Sequence, residues 1–210
     1  MAFGMRVGVR INDENVKKLN AVLGKLGGGE FAVASMQTAV RETAKFAAKT
    51  LGEAAQQRYV TEVDESDIEI KTRGASSVLT VEGPMTDLQQ HRVSSMAVSN
   101  GHQPASYQAQ VLNASGMKTL TKYGNKVFAV RFKSGHLGFV VRRPEGETAK
   151  KYAAKPWLAK RRTGKGEVLE SVYSLPRPEM FGNKYIYEAH EEEISDELNR
   201  RISAELDKAL

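Results

Sequence analysis

Val127-Phe128-Ala129-Val130-Arg131-Phe132-Lys133-Ser134-Gly135-His136-Leu137-Gly138-Phe139-Val140-Val141-Arg142-Arg143-Pro144 is the stretch whose reading decides the fold of this 210-residue chain. Two runs rich in β-branched and aromatic residues flank a short polar turn. Side chains alternate between faces along a strand, so Phe128, Val130 and Phe132 share one side of the first run while Arg131 and Lys133 take the other. The spacing predicts strands Val127–Lys133 and Leu137–Arg142 joined across Ser134-Gly135-His136, with Gly138 marking a bulge and Pro144 ending the pattern. A hairpin here makes its own two strands antiparallel.

Further strands are expected on both sides of it. Val78–Val81, Arg92–Val98 and Tyr107–Leu112 precede the hairpin, and Val168–Tyr173 follows it. Residues 144–166 between are polar, basic and glycine-containing, with Trp157 as the one large anchor, and read as a long loop. At the N-terminus Phe3, Met5, Val7, Val9 and Ile11 alternate strictly, as in a half-buried strand. Asn12 or Asp13 then opens a short helix carrying Val16, Leu19, Val22, Leu23 and Leu26, which Gly27-Gly28-Gly29 ends.

From Glu30 to Arg58 the apolar residues Val33, Met36, Val40, Ala44, Ala47, Leu51 and Ala54 recur at gaps of three and four. That is the seam of a packed helix, about 43 Å long at 1.5 Å per residue. Residues 64–72 read as a short helix capped by Asp64.

Near the C-terminus runs Val172-Tyr173-Ser174-Leu175-Pro176-Arg177-Pro178-Glu179-Met180-Phe181-Gly182-Asn183. Two prolines spaced by one residue hold a backbone extended and oppose helix, so this segment is expected to lie as an apolar strap. It is unusually apolar for a connection, which marks Tyr173, Pro176, Pro178, Met180 and Phe181 as a candidate subunit interface. Asn183 then caps a terminal helix reaching Ala209, with Ile194, Leu198, Ile202, Leu206 and Leu210 spaced by four. Such a stripe slants around the helix and suits packing at an angle.

Together these readings give an α+β fold: a long N-terminal helix and a C-terminal helix packed on a curved, mainly antiparallel sheet. One domain, 1–210, is expected, in three consecutive parts: strand and helices over 1–72, sheet over 73–175, strap and terminal helix over 176–210.

Charge is distributed unevenly. The chain carries 31 basic and 25 acidic residues for a net +6, and nine of the basic ones fall between Arg142 and Lys165 against only Glu145 and Glu147. Five carboxylates cluster over Glu62–Glu69 and six over Glu188–Glu197, neither run containing Lys or Arg. Separated patches of opposite sign allow copies of one chain to bind head to tail. Hydrophobic content of 40% and a mean hydropathy of −0.44 fit a surface-rich protein, elongated or oligomeric. No cysteine is present, which excludes disulfides, thiolate catalysis and zinc–thiolate sites. Met1–Ile11 lacks the pattern of a signal peptide, and no apolar run is long enough for a membrane span.

Nothing in the pattern of functional groups assembles a reaction. Of His91, His102, His136 and His190, only His190 has acidic neighbours, Glu191–Glu193, and adjacent helix positions do not share a face. Gly27-Gly28-Gly29-Glu30 has no strand before it and no Lys-Ser/Thr after it, so the phosphate-loop pattern fails. Ser76, Ser77, Ser94, Ser95 and Ser115 lie in no nucleophile-elbow motif. The expectation is a non-enzyme with no catalytic residue, metal or cofactor. Trp157, Lys160, Arg161 and Arg162 remain as a candidate contact for nucleic acid or an acidic partner.

In its order of elements the chain resembles the minor tail protein Z family of tailed bacteriophages and prophages. The family's apolar–aromatic pair, Gly-Pro turn and Pro-x-Met-apolar run before a charged helix correspond here to Val172-Tyr173, Ser174-Leu175 and Pro178-Glu179-Met180-Phe181. The hairpin Phe128–Arg143 and the Ala/Thr-rich helix from Glu30 are similar too, while Ser174-Leu175 departs from Gly-Pro. The resemblance implies a structural role in tail completion, at the head-proximal end of the tail. It implies contacts with tube, terminator or neck proteins, a homo-oligomer or ring, and a place in the virion after assembly in the host cytoplasm. A basic protein contacting phage DNA is the alternative.

Overall fold

A computed structural model describes residues 3–10, 29–97, 104–144, 161–162 and 167–208. In chain order the elements are β1 (Phe3–Arg10), α1 (Gly29–Arg58), β2 (Glu69–Arg73), β3 (Ser76–Gly83), β4 (Met85–Asp87), β5 (Arg92–Val93) and β6 (Gln108–Gln110). There follow β7 (Lys118–Thr119), β8 (Thr121–Lys122), β9 (Asn125–Arg131), β10 (Leu137–Pro144), β11 (Arg161–Arg162), β12 (Glu167–Pro176), α2 (Arg177–Phe181) and α3 (Tyr187–Asp207). The α+β class with long helices and curled antiparallel sheets is as the sequence reads. Two compact units share the chain by interleaving, not in three consecutive parts: a helical unit of Ala2–Gln56, Val63–Gly83 and Arg177–Leu210, and a sheet unit of Gln57–Glu62 and Pro84–Pro176.

In the helical unit β1, β3 and β2 form an antiparallel sheet with β3 at its centre. Alternation along β3 buries Ser77, Leu79 and Val81 and leaves Val78 and Glu82 outside. The seam residues Met36, Val40, Ala44, Ala47 and Leu51 of α1 are all buried, and so are Ala39, Thr43, Ala48 and Ala55 beside them. The helix is therefore enclosed over a wider arc than a two-helix seam. Thr43 fits there because its hydroxyl donates to the Ala39 carbonyl at 2.8 Å, so no polar group is orphaned. Ile194, Leu198 and Ile202 give α3 its buried track.

The expected helix over 64–72 is instead one tight turn and a strand. Asp64 caps the turn Glu65–Asp67 in a reciprocal capping box. Beyond it Glu69, Lys71 and Arg73 alternate as exposed residues with Ile70 and Thr72, the period of a strand, and β2 pairs with β3. The strap is corrected in a similar way. Strand β12 runs to Pro176, and Arg177–Phe181 is a short helix with Pro178 in its first turn. Proline is tolerated there because the first N–H groups of a helix have no partner within it. Asn183 caps a turn before α3: its Oδ1 accepts from the Tyr185 N–H at 3.1 Å, and its carbonyl accepts from Ile186 and Tyr187 at 2.8 and 2.9 Å.

The sheet unit contains strands in the order β11-β12-β10-β9-β8, with β4 also paired to β12, and a second sheet β5-β6-β7. Its core gathers Leu88, Tyr107, Ala109, Val127, Ala129 and Phe139, with Tyr107 edge-on to Phe139 at 5.6 Å. The hairpin forms as expected, but its deeply buried face is that of Val127 and Ala129. Phe128 is half-buried on the other face, under the Arg142 guanidinium at 5.0 Å. Gly138 makes no bulge: pairing runs without a shift from Leu137↔Arg131 to Val141↔Val127. The Phe132 ring lies over it, and a Cβ there would come within 2.6 Å of Phe132 Cε2 unless that ring shifted. Phe132 itself belongs to the turn, its N–H donating to the His136 carbonyl at 2.8 Å.

Strands β2, β4, β7, β8 and β11 are additions to the expected set, and Arg92–Val98 shrinks to two residues. The helix expected over 12–26 lies outside the described residues. Between β8 and β9 stands a two-residue loop with both φ angles positive, Tyr123 at 55° and Gly124 at 76°. Such a loop matches the strand twist but excludes most side chains at low cost. Gly124→Ala is expected to lower stability by about 1 kcal/mol, read from the urea unfolding midpoint.

Candidate interaction surfaces

Of the five strap residues, four are buried within the chain itself. Met180 and Phe181 are 0% exposed, and α2 packs on β1 and β3. Pro178 is buried in the same short helix, and Pro176 is buried opposite Met85 of β4. Only Tyr173, paired with Asp87, keeps part of its surface. The apolar strip thus forms a corner of the chain's own packing, and the expectation that Pro176, Pro178, Met180 and Phe181 face a neighbouring subunit is corrected. Apolarity in a connection signals burial without saying against what.

Trp157 and Lys160 lie outside the described residues. Arg161 and Arg162 form β11 at the edge of the larger sheet. Arg161 is in register with Leu169, and Leu169 is in register on its other side with Arg142, so two arginines flank one leucine in a single cross-strand row. That juxtaposition is invisible in the sequence, where 19 positions separate the two arginines.

The carboxylates of α3 are the other charged surface. Glu188, Glu191, Glu192, Glu193 and Asp196 are exposed, and no salt bridge involves any of them among the described residues. Between α3 and α1 runs an open groove of about 690 Å³, lined by Phe46, Ala189, Glu192, Glu193, Asp196, Glu197 and Arg200. The acidic field has a local effect at Tyr187, whose hydroxyl is pushed above the usual phenol range by burial and then by Glu191.

Glu197 differs from its neighbours. Arg200 grips it through Nε and Nη2 at 2.7 and 2.8 Å, and Arg201 Nε adds a third bond at 2.6 Å. The hydrogen bond from Arg200 first, with those charges, holds its carboxyl at about 2. Because this value lies below the unfolded one, the ion pair's contribution is complete above the unfolded pKa and fades as pH falls from 4.5 through about 2. A carboxyl carbon titration by NMR should place the Glu197 midpoint near 2, and Arg200→Gln should raise it towards the ordinary range.

Other polar clusters are occupied locally. Glu170 is buried on β12, pairs with Lys122 at 2.9 Å and accepts from the Tyr123 hydroxyl at 3.5 Å. Sequence reading missed this pair, which joins residues 48 positions apart. His136 Nε2 stands 3.6 Å from Asp87 Oδ2, and His190 Nδ1 meets the Ile186 carbonyl at 2.7 Å. The hydroxyls of Ser76, Ser77, Ser94, Ser95 and Ser115 each bond to backbone or to a neighbouring hydroxyl. Among the described residues no group of three His, Cys, Asp or Glu could hold a metal ion, and no helix is long and apolar enough to cross a membrane. No protein-family model, curated protein or solved structure matches the chain.

Proposed function

We propose that this chain is a non-enzymatic structural protein of a bacteriophage virion, acting in tail completion at the head-proximal end of the tail through protein–protein contacts. The observation that carries the reading is the first half of α3, with five exposed carboxylates that have no ion pair among the described residues. A charged surface of that extent, beside an open groove, suits a macromolecular partner such as a tube, terminator or neck protein better than a small substrate. The segments that resemble minor tail protein Z support it: Pro178-Glu179-Met180-Phe181 makes the packed corner that delivers the chain into α3, and the hairpin β9–β10 lies inside the larger sheet. In a phage or prophage carrying this gene, its deletion should leave incomplete tails in electron micrographs. Complementation by Glu192→Lys/Glu193→Lys should fail where the wild-type gene succeeds. Normal tails without the gene would end the proposal.

The row of Arg142 and Arg161 about Leu169 favours a second reading, contact with DNA. Duplex binding that weakens steeply with salt and is lost in Lys160→Ala/Arg161→Ala/Arg162→Ala would establish it.

A further inference from the structure

We propose that Lys122 and Tyr123 close a clasp on the buried Glu170 carboxylate, and that the β8–β9 loop it holds is a flap which opens when the clasp lets go. This device belongs to the sheet unit alone and is independent of the tail-completion reading.

The clasp joins strands that a flat sheet would keep apart. In the order β12-β10-β9-β8 two strands lie between β12 and β8, so at about 4.8 Å per strand they would stand about 14 Å apart. Lys122 Nζ of β8 nevertheless lies 2.9 Å from Glu170 Oε1 of β12, and it donates to the Ser171 carbonyl at 3.5 Å. The sheet therefore curls far enough to bring its edge strand to β12. The same carboxylate oxygen accepts from the Tyr123 hydroxyl at 3.5 Å, and the Lys122 ammonium stands 5.5 Å from the centre of the Tyr123 ring.

Glu170 sits where a charge is costly. It is in register with Val141, and Val141 with Val127, both buried, and it is itself 3% exposed. A buried ion pair adds little stability over apolar side chains of the same volume, but removing one partner strands the other charge. The pair therefore acts by favouring one arrangement of the loop, the closed one, over the rest.

The flap has little apolar surface of its own to bury. From Gly116 to Lys126 every residue except Leu120 and Lys122 is exposed. Strand β8 meets β9 at two register pairs, Thr121↔Lys126 and Lys122↔Asn125. At the tip Tyr123 holds φ at 55°, a left-handed conformation that a bulky residue adopts at a cost. The contacts to Glu170 offset that strain. A segment with few buried apolar contacts and a strained tip belongs to the low-stability end of a fold. Leu120 packs on the core cluster, and its N–H donates to the Tyr107 carbonyl at 2.7 Å. Opening the flap would uncover that part of the core and the outer edge of β9.

Native-state hydrogen exchange on the full chain at neutral pH, read residue by residue by NMR, tests the clasp. The reporters are the Leu120 and Val127 amides, which bond to the Tyr107 and Leu120 carbonyls. In the wild type they are expected to exchange through a local opening insensitive to low urea, at least about tenfold faster than the amides paired between β9 and β10. Glu170→Gln and Lys122→Met should each speed both reporters by about a hundredfold, because the opening breaks the pair. Lys126→Met, at an exposed position on the facing strand, should change them less than about twofold. In Lys122→Met/Glu170→Gln they should exchange no faster than in the faster single variant, since one clasp breaks only once. Unchanged reporters in both single variants overturn the proposal, as do accelerations that multiply in the double variant. Should the variants fail to fold, the wild type decides alone. Reporters that exchange only together with the β9–β10 amides, with the same urea dependence, would show a brace of the whole sheet and no flap.

Discussion

Gly52→Val is expected to destabilise the helical unit by about 3 kcal/mol or more, the upper range of overpacking costs. Gly52 is buried in the middle of α1, a position where glycine is otherwise unfavourable. A Cβ there would meet the Glu65 nitrogen at 2.6 Å and the Asp64 carbonyl carbon and Glu65 Cα at 3.1 Å. All three are backbone atoms, so no side chain can rotate away. The turn they belong to is tied at both ends, by the Asp64 capping box and by the Ile68 N–H donating to the Glu65 carbonyl at 3.1 Å. Either α1 lifts from the turn or the capping bonds break. Gly52→Ala opposes this with a gain in helix propensity of about 1 kcal/mol, so its net loss is expected to be smaller, about 1–2 kcal/mol. Urea unfolding at neutral pH measures both, with exposed Glu53→Ala as a reference expected within about 0.5 kcal/mol of wild type. A Gly52→Ala protein more stable than wild type would show that the close approach has no energetic weight.

Gly52 also shows what a sequence conceals. A lone glycine inside a helical pattern looks the same whether it is a tolerated weakness or the only residue that lets a distant turn touch the helix. Periodicity found α1, α3 and the hairpin because a buried face imposes its repeat on many residues at once. Short strands such as β4, β7 and β8 impose it on two or three residues, too few to register. The strap failed for a different reason: Pro178 opposes helix in an interior but not in a first turn, and position within the helix is set by packing on β1 and β3. At the candidate site, the acidic run was legible as composition, and its exposure follows from the buried track of Ile194, Leu198 and Ile202 on the same helix. The Arg142–Leu169–Arg161 row was not, because strand register is fixed by the pairing of β10, β12 and β11 and leaves no mark on any of the three segments alone.

His91→Leu is expected to stabilise the sheet unit at neutral pH by on the order of 1–3 kcal/mol, the cost of leaving a buried polar group unpaired. His91 is 5% exposed, and neither Nδ1 nor Nε2 has a hydrogen-bond partner among the described residues. Its backbone N–H closes the turn from Leu88 at 3.1 Å, so the ring is carried inward at the start of β5. The nearby charges are engaged elsewhere: Asp87 faces His136, and Arg92 donates to Gln110 at 3.3 Å. Burial therefore lowers the imidazole pKa from its usual 6.5. A lowered folded value means that, once pH falls below 6.5, the unfolded chain binds protons that the folded chain does not. Stability at this residue is thus unaffected above 6.5 and declines progressively below it. The Leu variant lacks the titrating group, so its advantage over wild type should widen as pH is lowered from 7 to 5. That interval lies above the one in which the Glu197 ion pair fades, from 4.5 through about 2, so the two acid responses separate on the pH axis. Parallel stability curves for wild type and His91→Leu between pH 7 and 5 would mean that the ring finds a partner when protonated, and that its burial carries no penalty.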